Sequence, residues 1–193
     1  MTGRDPTTDT AHDAGDFAEW LVEIRGAIRG ENTSDVPCGD CTACCTASQF
    51  IHIAPDESDA LAHIPSALLF PAPRLPRGHV LMGYNERGQC PMLIDNHCSI
   101  YEHRPRTCRT YDCRVFAATD LKPDEHDDDK ILIAQQVRRW RFTFATQADR
   151  DTYDALCVTA NRLRLNPSEL PHGISPTNTT QIAIHAIETN DAQ

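Results

Sequence analysis

The chain has 193 residues, a formal charge of −10, nine cysteines, and only 6% aromatic residues. The acidic balance argues against a general nucleic-acid binder, which needs a basic face, and no run of 18 apolar residues is present to cross a membrane. Few large rings make a thin core for this length, so cross-links by metal would be useful staples.

Residues 1–16 carry Asp5, Asp9 and Asp13 and no apolar block. They read as a disordered tail, neither a secretory signal nor an Arg-rich transit peptide. A cytoplasmic, reducing location follows as an expectation, and there clustered cysteines are metal ligands more often than disulfides. Phe17, Trp20, Leu21, Ile24 and Ile28 recur at helical spacing, with Asp16 and Glu19 as a start signal and Gly30 as a stop. A polar linker, 31–37, leads to Cys38-Gly39-Asp40-Cys41-Thr42-Ala43-Cys44-Cys45, where a tight turn at Gly39-Asp40 lets two sulfurs reach one metal. Phe50, Ile51 and Ile53 mark a short strand, and Pro55-Asp56-Glu57 opens a helix through about His63. Pro65, Pro71, Pro73 and Pro76 mark an irregular connection with Leu68-Leu69-Phe70 tucked beneath it. A β-hairpin is expected from His79–Tyr84, a turn over 85–88 and a returning strand at Cys90–Ile94.

The second cysteine block holds Cys90, Cys98, Cys108 and Cys113, with a turn at Asp95-Asn96-His97 and a short helix opened by Pro105. After an acidic loop over 120–129, helices are expected from Lys130 to Phe144 and from Asp149 to Leu165. Cys157 falls in the apolar stripe of the latter and reads as a core thiol. The organisation is thus a tail (1–16), a cysteine-cluster domain (17–165) and a C-terminal tail (166–193) with an apolar patch at Ile182–Ile187. The fold class is α+β: a small, mainly helical, irregular, metal-stapled domain with a short β-hairpin and two C-terminal helices.

Setting Cys157 aside leaves Cys38, Cys41, Cys44, Cys45, Cys90, Cys98, Cys108 and Cys113 as candidate metal ligands. Eight thiols make two four-ligand sets, suited to zinc ions or to cysteine-held iron–sulfur centres. In an extended segment Cys44 and Cys45 would face apart and divide between two sites. Cys108 and Cys113 would diverge on one helix unless it ends between them. Arg104, Arg106, Arg109 and Arg114 interleave with the last two cysteines and would offset thiolate charge, or else lie on a solvated surface. His97 and His103 lie within the block, where turn or surface roles are commoner for histidine than ligation.

The ordered pattern Cys38-x2-Cys41-x2-Cys44-Cys45, Cys90-Pro91-x-Leu93, Cys98-x-Ile100-Tyr101-Glu102-x-Arg104-Pro105-x2-Cys108-Arg109-x-Tyr111-x-Cys113 resembles the YkgJ-like cysteine-cluster family, over about two-fifths of the chain. Asp112 stands where many members have proline, a departure that changes no ligand. The resemblance implies chelation of zinc or iron, with metal ions as partners. Metal that mainly holds the fold, or serves metal handling or a protein partner, is one reading. An iron–sulfur enzyme for redox chemistry or protein modification, like flagellin lysine methylases, is the alternative. No phosphate loop, nucleophile elbow or His-Glu-x-x-His motif is present.

Overall fold

The computed structural model describes residues 11–34, 36–123 and 130–190. In chain order the elements are β1 (His12–Asp16), α1 (Phe17–Ile28), β2 (Ile51–Ile53), α2 (Ser58–His63), β3 (Leu69–Pro71) and β4 (Val80–Met82). There follow β5 (Leu93–Ile94), β6 (His97–Cys98), α3 (Arg106–Thr110), α4 (Arg114–Thr119), α5 (Ile131–Val137), β7 (Trp140–Thr143), α6 (Gln147–Leu165) and α7 (Thr179–Thr189). The mixture is α+β, as the sequence indicates. The chain divides into two compact units, and two of the division points fall inside α1 and α5.

The first unit comprises Met1–Arg25, Cys113–Asp124 and Ala134–Gln193. Its two-stranded sheet pairs β1 with β7 in parallel, His12 opposite Trp140 and Asp16 opposite Thr143. The register shifts between Asp13 and Gly15. Gly15 takes φ of +87° there, and the Asp13 carboxylate accepts its N–H at 2.8 Å, a turn that a side chain at Gly15 would strain. The Asp16 carboxylate then accepts the N–H groups of Ala18 and Glu19, capping α1 as its sequence suggests. Phe17, Trp20, Leu21 and Ile24 are buried, and the Phe17 ring meets Phe142 and Tyr153 edge-on. Thr146 and Asp149 exchange side-chain and backbone hydrogen bonds, the capping box that starts α6.

Three expectations change in this unit. Residues 12–16 form a strand, while 1–10 lie outside the described residues. The helix expected to reach Phe144 ends at Val137, because Trp140–Thr143 finds a backbone partner in β1. The apolar patch in the expected tail is the inner stripe of α7, where Ile182, Ala183, Ala186 and Ile187 have no exposed surface. Asn178 caps that helix by accepting the N–H of Gln181.

The second unit comprises Gly26–Asp112 and Glu125–Ile133. Its sheet has the order β2-β4-β3, all antiparallel. Ile53, Ala60, Ile64, Met82, Met92 and Ile100 form a small core, with Cys90 and Cys98 packed on its margin. β4 therefore pairs with β2 and β3 and not with Cys90–Ile94. The expected hairpin is instead β5–β6, turned by Asp95 and Asn96 at φ of +49° and +62°. Part of the proline stretch is the edge strand β3, where the missing N–H of Pro71 is tolerated, and Phe70 is 40% exposed rather than tucked away.

Candidate metal centre

The first cysteines sit where the turn chemistry puts them. Gly39 has φ of +52°, and Cys41 donates its N–H to the Cys38 carbonyl at 2.9 Å, closing the Cys-x-x-Cys turn. Ala43–Thr46 is a short 3-10 helix carrying Cys44 and Cys45. The extended segment assumed from the sequence is thus replaced by a tight helical turn, in which successive side chains point about 120° apart. The two thiols shift one another's ionisation in opposite directions. The Cys90 N–H donates to the Cys45 carbonyl at 2.7 Å and brings the second block to the first.

Cys108 lies on α3, a single short helix held at its start by an acid that in the sequence reads only as a helix-opening charge. Glu57 is 7% exposed, and its carboxylate accepts the N–H of Ala54 at 2.8 Å and the N–H of Arg106. The end of α3 is tied down by the linker. The Ser34 N–H donates to the Arg109 carbonyl at 2.8 Å, and its hydroxyl donates to the buried Asp112 carboxylate at 2.6 Å. The unusual Asp112 is therefore an anchor for the strand of chain entering the cysteine turn. α3 ends at Thr110, before Cys113, so Cys108 and Cys113 occupy separate helical turns.

Seven of the eight expected cysteines, Cys38 to Cys108, belong to the second unit. Cys113 belongs to the first, where it is buried and its Sγ accepts the Trp140 indole N–H at 3.2 Å. Cys157 is also in the first unit, its thiol directed at the Ala118 carbonyl at 3.5 Å. All nine are free thiols.

Five of these thiols, Cys38, Cys44, Cys45, Cys90 and Cys108, are shifted in their ionisation by burial and by neighbouring thiols. Burial pushes Cys38 up to about 12, with the charges of Cys44, Cys41 and Asp112 adding to it. Burial raises Cys108 to about 12 as well, reinforced by Cys90, Cys44 and Cys98. Cys44 goes the other way, to about 7, because Cys45 donates a hydrogen bond to its sulfur, and Cys45 is correspondingly raised. Arg104, its guanidinium 3.6 Å above the Tyr101 ring, favours the thiolates of Cys38, Cys44 and Cys108. Half-buried thiols that oppose each other's ionisation are a donor set suited to a soft cation, which removes the protons and the repulsion together. The chemistry of the site fits zinc or iron.

Residues 37–131, about half of the chain, match the profile of the family CxxCxxCC, described as "Putative zinc- or iron-chelating domain". These residues are a domain of this cysteine-cluster family. No curated protein and no solved structure matches the chain significantly. Among the described residues no helix is long and apolar enough to cross a membrane.

The spacing of the sulfurs bears on what the family's metal could be. Among the described residues, the one trio with ligand atoms all within 4.8 Å is Asp59, His63 and His103, so no three thiols are that close. Four thiolates on one zinc ion, at about 2.3 Å from it, stand about 3.8 Å apart. The cysteines are more widely set than four thiolates on a single zinc ion. His97 lies at the β5–β6 turn, its ring bonded to the Asp95 carbonyl. Asp59 and His63 were not singled out from the sequence as ligands. Their only local sign is an acid and a histidine four apart in a helix.

Proposed function

We propose that this domain chelates metal through the cysteines Cys38, Cys41, Cys44, Cys45, Cys90, Cys98 and Cys108, with Cys113 as the eighth member of the set. The metal mainly holds the fold, and metal handling is its biological setting. The observation that carries this reading is the gathering of seven free thiols in one unit, two of them, Cys90 and Cys98, packed on a cluster of just six buried apolar residues. A cation there does what a larger core would otherwise do. Free thiols throughout suit a reducing, cytoplasmic location.

The sulfur spacing favours a second reading, an iron–sulfur centre. Such a cluster binds each thiolate at a different iron atom and so holds the sulfurs further apart than one zinc ion does. That reading also admits an enzyme acting in redox chemistry or protein modification. Anaerobic purification, with analysis of zinc, iron and acid-labile sulfide and a visible spectrum, separates the two. A colourless protein with bound zinc and no sulfide supports the structural zinc site. A brown protein with iron and sulfide supports the cluster. A protein that binds neither overturns the proposal.

A further inference from the structure

The trio of Asp59, His63 and His103 lies within the second unit and uses none of the cysteines. Asp59 and His63 stand four residues apart in α2 and share a face; His103 ends the 3-10 turn Tyr101–His103. The Nδ1 atoms of His63 and His103 lie 3.6 and 2.9 Å from the two oxygens of the Asp59 carboxylate. The imidazole rings are stacked, with centroids 3.5 Å apart and planes within 4°. Ligand bonds of about 2.0–2.2 Å to a divalent ion set neighbouring N and O donors about 3.0–3.5 Å apart, close to the separations seen here.

From this geometry we infer that Asp59, His63 and His103 form a second metal site, for a borderline divalent cation such as Zn²⁺ or Co²⁺. Two imidazoles and one carboxylate suit such ions, while the thiols suit softer ones, so the two sites differ in kind. Three protein ligands leave positions for water, which is the pattern of an open site and not of a closed structural one. His63 Nδ1 is hydrogen-bonded to the Asp59 backbone carbonyl at 2.8 Å and His103 Nδ1 to the carboxylate at 2.9 Å, so both rings must leave these bonds and turn from parallel to let their lone pairs converge. Side-chain exposures of 40% for His63 and 38% for His103 give them that room. The Arg109 guanidinium also acts on Asp59 and weighs against a cation, so this site binds more weakly than the thiols. The other histidine pair, His52 and His79, is bonded ring to ring at 2.9 Å and is not part of the trio, which makes it a control.

The test is titration of the full chain, carrying its native metal, with Co²⁺. The expected result is one added equivalent with weak visible bands and no thiolate-to-cobalt charge transfer. That equivalent is lost in His63→Ala and in His103→Ala and kept in His79→Ala, with far-UV dichroism unchanged. In the unsubstituted protein, NMR of the ring nitrogens should show paramagnetic broadening of His63 and His103, a readout independent of any variant. No added equivalent, or its survival in the double alanine variant, or charge-transfer absorption accompanying it, overturns the inference. A failed thiol-site proposal would alter the native metal content and leave this result untouched.

Discussion

Replacing Glu57 by glutamine is a direct test of how the cysteine unit is held together. The carboxylate presents two acceptor oxygens to two backbone donors, the N–H groups of Ala54 and Arg106. An amide keeps one acceptor and turns an NH₂ toward the other donor. One charge-assisted bond is weakened and one buried N–H is left unpaired, which together cost about 2–4 kcal/mol. The cost falls on the start of α3, and so on Cys108. Native-state alkylation of Cys108 in metal-free protein, read by mass spectrometry, should accelerate roughly 30- to 700-fold if local opening exposes it. Trp20 and Trp140, the chain's two tryptophans, are buried in the other unit and should keep their fluorescence. A Glu57→Gln protein whose Cys108 reacts within threefold of the unsubstituted rate would refute the reasoning, because the two hydrogen bonds would then carry no local stability.

A similar division of probes serves chelation. Removing the metal should loosen the cysteine unit, seen as faster thiol labelling and reduced helical dichroism, while hydrogen-exchange protection of α6 and α7 changes little; unchanged thiol protection would show that the metal is not a staple. In metal-free protein Cys44 should be the first thiol alkylated, half-ionised near pH 7, and Cys45→Ala should slow it by removing the donor to its sulfur. A Cys44 rate that rises only near pH 9 would contradict this. Cys38 and Cys108 hold their protons in the folded chain up to about 12, against an ordinary value of 9.0. The folded state therefore binds more protons between those values, and metal-free stability should fall as pH rises from 9 toward 12, measured by denaturant midpoints, with a shallower fall in Cys38→Ser. Cys157→Ala should leave metal content unchanged and cost about 1 kcal/mol or less, since the thiol is only half-buried; loss of a metal equivalent would place it in the ligand set.

The helical stripes of α1 and α6, the cap at Asp16 and the turn at Gly39 were legible in the sequence because each is settled within a few residues. The same holds for the cysteine spacing, which pointed to metal before any fold was known. What the tertiary structure decided involves partners far apart in the chain. The β1–β7 ladder joins His12 to Trp140, and without its partner each strand reads as something else: a polar tail, and the end of a helix. A strand's backbone donors and acceptors are satisfied only across the ladder, so no periodicity within one segment reveals them. The same is true of the carboxylates. Glu57 looked like a helix-opening charge until Arg106 met it, and Asp59 became one corner of a ligand trio only when His103 came to lie beside α2. Cys113, five residues from Cys108, belongs to the other unit because α3 ends at Thr110 and the chain passes on into α4. Spacing says which donors a chain owns. Which of them share a site depends on where the helices stop and which backbone groups pair, and those are properties of the folded chain.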